Sequence, residues 1–436
     1  MSSEFLVKSL YILIAIIFLL YTYKRYRFTP PLVFVGMQLL MFIGIRTAPQ
    51  ANSAWGIKLT YIYFFTLIFF IIGVIFSNAL HKKHSLKTHK TNKIIESVND
   101  KGIPTKSQYF IIIGLVVLSI LLCTWFYAQS GGNLLIKSIK DFFSSTEVNY
   151  SNERRQFFGI SGTGYIYQFR VVILPILNIF LVFGQPRKNY KKFGIIITPL
   201  TLLFLLGTGQ RNAFVFMLLF LFVYIFVLKT EFRQQINYNL LVVLVSFSIF
   251  FLIVLTISNG RVSEEDNLII GALESLLDRI TGVNSRTALS AFKYIDTQPT
   301  VWGYDWLMML ADILPGKSGY LSVDRIVYYL SYGTYNGTGP PCIWGSAWYN
   351  WSYFGATLFP LILGIIYQNI YYIFKRRDHT KLNSLIYIAL VVYFGIWFCG
   401  SPMVLFNNGV VTILILSFIL NIFKNVKLII TWGGTK

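Results

Sequence analysis

Six residues, Gly207-Thr208-Gly209-Gln210-Arg211-Asn212, interrupt an apolar stretch that otherwise runs from Phe193 to Leu228. As one helix that stretch would be about 54 Å long, far beyond the ~30 Å hydrocarbon core of a bilayer, so the chain is expected to fold back at the interruption. Two glycines with Thr, Gln and Asn are turn chemistry. The turn puts Arg211 at the start of the second helix, close to the hydrocarbon boundary. Free backbone N–H groups and the positive end of the helix dipole favour an anion there, and a membrane-embedded phosphate suits the position. The other role open to Arg211 is that of an interfacial anchor that snorkels from a helix end.

The remaining groups with chemical capacity are arginines and carboxylates. Two long hydrophilic loops, 129–164 and 259–342, hold Glu153, Arg154, Arg155, Arg261, Glu274, Asp278, Arg279, Arg286, Asp305, Asp312, Lys317 and Asp324. Arg170 lies about six residues inside an apolar run, where it is costly in lipid and is expected to point into the bundle or a wet cavity. Arginine forks hold phosphates bidentately, and a carboxylate of raised pKa takes a proton from an attacking hydroxyl. This inventory fits a reaction whose leaving group is a diphosphate and whose nucleophile is an alcohol. Among the acids, Asp278 and Glu274 rank first as proton acceptors because they share a predicted helix with Arg279; Glu153 follows because it adjoins Arg154 and Arg155. The alternative is that these acids pair with the arginines and keep the loop folded. All four histidines, His81, His84, His89 and His379, fall in basic loops, so no HExxH and no Ser, His and Asp set can be assembled in the long loops. Cys123, Cys342 and Cys399 make no CxxC and no metal-ligand spacing; neither metal nor cofactor is expected. Gly316-Lys317-Ser318 resembles the end of a phosphate-binding loop, but Ala311 stands where its leading glycine belongs, and it is rejected as a nucleotide site.

The elements that must position these groups are membrane helices. With 55% hydrophobic residues, 13% charged residues and a mean hydropathy of +0.61, the chain reads as an all-α polytopic membrane protein, one transmembrane domain over 1–436. Eleven spans are predicted, at 5–23, 30–46, 56–80, 107–128, 165–184, 193–208, 212–228, 239–258, 343–374, 382–399 and 403–423. The run at 343–374 is long and mixed, and part of it is expected outside the membrane. No small-residue cleavage site follows the first run, so it reads as a retained span. The alternating loops fall into two sets, one with 23 Lys and Arg against 4 acids and the other with 14 against 13. The positive-inside rule makes the first set cytoplasmic, which accounts for the net charge of +21 without nucleic acid and puts both long loops and the glycine turn on the outer face. A cysteine introduced at Ser263 should then label from outside and one at Lys90 from inside. The reverse pattern would place every candidate group in the cytoplasm.

Within the second outer loop, Leu268, Leu273, Leu276, Leu277 and Ile280 recur at helical spacing and predict an amphipathic helix. The loop ends in an aromatic-rich segment, 335–355, with Trp348 and Asn350 at its centre and Tyr304 upstream. Such density serves as an interfacial belt or as a surface on which sugar rings stack and take hydrogen bonds. At this point the sequence resembles a family. The overall plan, the LLGTGQRNAFVF break, the DRI…SR helix pair, the ILPGKSG segment and the GSAWYNWSYFGA lead-in to a late span look like the bacterial oligosaccharide repeat-unit polymerases (Wzy-type O-antigen polymerases). The resemblance implies a GT-C-like glycosyltransferase of the bacterial inner membrane, active on its periplasmic face, without metal or nucleotide sugar. It would transfer a glycan from one undecaprenyl diphosphate carrier to a hydroxyl of the repeat unit on another. Its partners would be these two lipid-linked substrates and membrane lipids, with a chain-length regulator and a flippase beside them. Arg211 and Arg279, then Arg154, Arg170 and Arg286, match the family's outer-face basic positions and would hold diphosphate; Tyr304, Trp348 and Asn350 would meet glycan. Related ligases are expected to use an outer-face histidine, whose absence favours a polymerase. A lipid-linked oligosaccharide flippase is the rival from another class, but no internal repeat is visible. A membrane O-acyltransferase would usually want a histidine, and a purely structural membrane protein is the remaining alternative.

Overall fold

The computed structural model describes residues 3–88, 104–144, 157, 163–184, 187–209, 211–257, 271, 278, 282–312, 320–335, 337–376 and 380–424. Among them regular structure is helical, with one isolated bridge between Cys342 and Cys399 and no strand. In chain order the helices are α1 (Ser3–Tyr26), α2 (Pro30–Thr47), α3 (Ala54–Thr88), α4 (Lys106–Gln129), α5 (Leu134–Ser144), α6 (163–184, with π turns at Phe169–Ile173 and Phe180–Gly184), α7 (Lys188–Leu206), α8 (Arg211–Thr230) and α9 (Tyr238–Ile257). There follow α10 (Asn284–Ile295), α11 (Tyr304–Ala311), α12 (Val323–Tyr332), α13 (Ile343–Trp351), α14 (Tyr353–Ala356), α15 (Leu358–Lys375), α16 (Lys381–Gly395), α17 (Met403–Asn407) and α18 (Val410–Ile422).

Eight helical stretches, in α1, α2, α3, α4, α6, α7, α8 and the run Tyr353–Lys375, are long and apolar enough to cross a membrane, and the chain is a polytopic membrane protein. The other three predicted spans overlap α9, α16 and α18, whose apolar parts are shorter; α16 ends at Gly395, and the span predicted at 403–423 is split at Gly409 into α17 and α18. The mixed run at 343–374 is broken at Ser352, whose φ of 49° lies in the left-handed region; α13 precedes the break and the apolar stretch follows it. Lys8, a charge inside the first span, is neutralised by Glu4 one turn away at 2.5 Å, and Arg46 of α2 reaches the same carboxylate at 2.8 Å.

By its internal contacts the chain forms two compact units: 1–94, 273–377 and 391–406 make the first, and 95–272, 378–390 and 407–436 the second. In the first, α3 lies along α15 at backbone contact. A Cβ at Gly73 would sit 2.1 Å from the Leu361 carbonyl oxygen, and one at Gly364 would sit 2.2 Å from that of Phe70. In lipid such close approach replaces the hydrophobic drive that water supplies to soluble helices. Beside it Phe34, Phe70 and Tyr367 form an aromatic core with centroids 5.1 Å apart for Phe34–Phe70 and Phe34–Tyr367. Further along the same seam Asn78 Oδ1 accepts from Gln368 Nε2 at 2.8 Å and from the Tyr372 hydroxyl at 2.9 Å, while Ser77 donates to Asn369 at 2.9 Å. The second unit carries the glycine turn. Lys188–Leu206 and Arg211–Thr230 are the two arms of the predicted fold-back, 19 and 20 residues long.

Candidate functional site

The glycine turn of the second unit is built from three directions. Gly209, at φ 69°, takes the left-handed conformation that ends α7, and its N–H meets the Leu206 carbonyl at 2.8 Å. Gly207 lies against the Asn133 side chain, where an added Cβ would be 2.2 Å from Nδ2. Asn133 donates to the Leu203 carbonyl at 3.0 Å and accepts from the Leu135 N–H at 3.0 Å, so one side chain closes the end of α7 and caps the start of α5. The Leu134 N–H completes the joint on the Gly207 carbonyl at 2.7 Å, and the Tyr127 hydroxyl donates to the Phe204 carbonyl at 2.6 Å.

Arg170 enters from α6, within its first π turn, and is 3% exposed. It points into the bundle, as its place in an apolar run predicts. Its Nη1 donates to Thr208 Oγ1 at 2.7 Å, to the Leu205 carbonyl at 3.3 Å and to the Phe204 carbonyl at 3.4 Å, and the guanidinium lies over the Tyr167 ring at 5.4 Å. A fixed positive charge therefore sits against the negative end of α7, two residues of turn away from the N-terminus of α8, where Arg211 is the first helical residue. The arrangement puts a buried guanidinium on the turn that leads into α8, a helix start whose free N–H groups favour an anion.

A second cluster lies in the first unit, where the sequence directed attention elsewhere. Asp305 is wholly buried, and its Oδ1 accepts from the Val323 N–H and the Tyr320 hydroxyl, both at 3.1 Å. It thereby caps α12 from across the fold, while Ser322, the local N-cap residue, makes no capping bond. Asp324, one residue into that helix, is 5% exposed. Asp305 Oδ2 and Asp324 Oδ1 are both enclosed and have no hydrogen-bond partner. Burial raises the pKa of Asp305, opposed by the Val323 N–H, the Tyr320 hydroxyl and the Asn350 amide. Burial, with the neighbouring Asp305 charge, pushes Asp324 up to about 7. Two enclosed carboxylates cannot both ionise cheaply, so the pair retains a proton near neutral pH.

The expected site residues meet different fates. Asp278 is exposed and bound by both Nη atoms of Arg286, at 2.9 and 2.6 Å; that guanidinium holds its carboxyl below the usual range. A carboxylate so held is a weak proton acceptor, and the fork of Arg286 is already occupied, which is the loop-folding alternative. Glu153, Arg154, Glu274 and Arg279 lie outside the described residues, as does most of the predicted amphipathic helix and the 313–319 segment. Asn350 is wholly buried and spent on structure: its Oδ1 accepts from the Trp306 N–H at 3.2 Å and its amide donates to the Ser346 carbonyl at 2.9 Å. Trp348 lies under Lys58 Nζ at 5.1 Å, and Lys58 in turn pairs with Asp296. Tyr304 alone of the three presents an open ring, 53% exposed, and it stands edge-on to Tyr320 at 5.6 Å. Asp324 was named only among the acids of the second long loop and was not ranked as a proton acceptor. The available signal was Val327, which puts Asp324 on the apolar side of its helix. Compared with known proteins, the chain matches no family model, no curated protein and no solved structure.

Proposed function

We propose that this protein is a membrane glycosyltransferase of eleven spans and GT-C-like plan. It polymerises oligosaccharide repeat units carried on undecaprenyl diphosphate, on the outer face of the bacterial inner membrane. The observation that carries the reading is Arg170, a buried guanidinium fastened to Thr208 at 2.7 Å and so to the turn that starts α8. Intramembrane arginines are costly and mark ion or substrate sites. A diphosphate leaving group needs fixed positive charge that is already in place when the bond breaks. The family resemblance supplies the identity of the substrate.

Purified protein in nanodiscs, given a defined undecaprenyl-diphosphate-linked repeat unit, should yield a ladder of products. Arg211→Ala should lower ladder formation about a hundredfold or more while the protein stays folded and inserted. Arg211→Lys should be partly active, since Lys keeps the charge but loses the fork. A full ladder from the alanine variant would reduce Arg211 to a lipid anchor, and no ladder from the wild type would remove the reading altogether.

A further inference from the structure

We infer that Cys342 and Cys399 are joined by a disulfide in the mature protein, a covalent tie between the end of the second long loop and the segment after α16. It rests on the outer-face placement of that loop and not on the transferase activity. Both residues belong to the first unit, and the backbone sets them opposite each other. They form an isolated antiparallel bridge, closed by the Ile343 N–H on the Phe398 carbonyl at 3.2 Å and by the Gly400 N–H on the Pro341 carbonyl at 2.5 Å. Each bond lies one residue outside the pair, so the two cysteines occupy a non-hydrogen-bonded position. Facing residues in that register have Cα atoms ~4.5 Å apart and side chains on the same side. A disulfide needs Cα atoms ~4.4–6.8 Å apart, so the backbone already has the spacing that the bond requires. The chain holds three cysteines, and two of them meet at this position. Both are free thiols in this structure, close enough that a charge on one is felt by the other.

Disulfides form and persist outside the plasma membrane. On the charge pattern both cysteines face that side, since Cys342 ends the second outer loop and Cys399 ends the span predicted at 382–399. The oxidant is a disulfide-bearing protein or small molecule of that compartment, and exchange takes place as the two segments pair, before packing covers Cys342. The thiolate of Cys399, the part-exposed member, attacks one sulfur of the oxidant's disulfide; that S–S bond breaks, a mixed disulfide forms, and the other oxidant sulfur leaves as a thiolate. Cys342 then attacks the Cys399 sulfur, and the second oxidant sulfur leaves. Two protons and two electrons pass from the cysteines to the oxidant, which ends as a dithiol. Burial pushes the Cys342 thiol up to about 11. A leaving group of high pKa departs slowly, so the finished bond resists reduction and serves as a structural tie. It fixes the start of α13, where Cys342 Sγ accepts from the Gly345 N–H at 3.3 Å, to the chain that follows α16.

The test counts thiols in the full-length protein expressed in bacterial membranes. Cells are quenched in acid and denatured in N-ethylmaleimide, so that no bond forms after lysis; the protein is then reduced and treated with a polyethylene-glycol maleimide, which slows its band once for each thiol released. Wild type should take two tags. Cys342→Ser and Cys399→Ser should each take none, and Cys123→Ser should still take two. Three free thiols in the wild type, or loss of the tags in Cys123→Ser, overturns the proposal. The wild-type count needs no variant to fold. As a second reading, a phosphine reductant should lower the thermal midpoint of purified wild type by about 3–8 °C, because the bond closes a long loop, and should leave Cys399→Ser unchanged. A wild-type midpoint that reductant does not move also overturns the proposal. Labelling at Ser263 and Lys90 keeps the two failures apart: if Ser263 labels from outside and the thiols are free, the disulfide alone is wrong, whereas labelling of Ser263 from inside removes the placement on which it rests.

Discussion

Arg170→Met should abolish the polymer ladder, with turnover down by about a thousandfold, and should also lower the thermal midpoint of the purified protein. Methionine fills the space of the side chain but carries no donor. Thr208 Oγ1 and the carbonyls of Phe204 and Leu205 would then face a low-dielectric interior with one donor fewer. Hydrogen bonds to a charged group are worth about 1.5–3 kcal/mol, so a comparable loss of stability is expected. Two further variants separate cap from site. Thr208→Val removes one acceptor and leaves the charge, so it should cost about 1 kcal/mol and keep most of the ladder. Arg170→Lys keeps the charge without the fork and should retain a weak ladder. If Arg170→Met melts lower yet builds polymer at the wild-type rate, the arginine is only the cap of α7 and the anion site lies elsewhere.

Gly364→Val should yield protein that inserts but does not hold its native fold. The Cβ of any residue there falls 2.2 Å from the Phe70 carbonyl oxygen and 3.1 Å from the Val74 nitrogen. These are backbone atoms of a helix and cannot swing away as a side chain would. The helices must part, and parting strips the Asn78–Gln368, Asn78–Tyr372 and Ser77–Asn369 hydrogen bonds from the same seam. Overpacking alone costs about 1–3 kcal/mol, and about 1–2 kcal/mol more follows from bonds broken in an apolar setting. Gly73→Val should behave alike, since its Cβ would meet the Leu361 carbonyl at 2.1 Å. Gly114→Val is the control: nothing lies within 4 Å of its added Cβ, and it should be neutral. Thermal unfolding in detergent with size-exclusion profiles reads all three. A Gly364→Val protein as stable as wild type would mean that α3 and α15 do not touch at this point.

Sequence by itself determined the class of the protein and its local punctuation. Apolar length is a one-dimensional property, so the eight long spans and the fold-back at 207–212 were legible without coordinates, whereas the break of the 343–374 run at Ser352 was not. So was the inward aim of Arg170, because a lone guanidinium has no acceptable place facing lipid. Which residues meet across the bundle was decided only by tertiary structure. Arg170 and Thr208 are 38 positions apart, and nothing in either local pattern names the other. Gly73 and Gly364 read as two unremarked glycines until their helices cross, because close approach is a property of the pair. Asp278 looked like a base and proved to be pinned by Arg286, eight residues on. Asp324 was one acid among several in its loop and proved to be enclosed beside Asp305. In each case the chemistry of a charged side chain was set by what covers it and what faces it. Burial and partner both depend on how helices pack, which a periodic pattern of hydrophobicity leaves open.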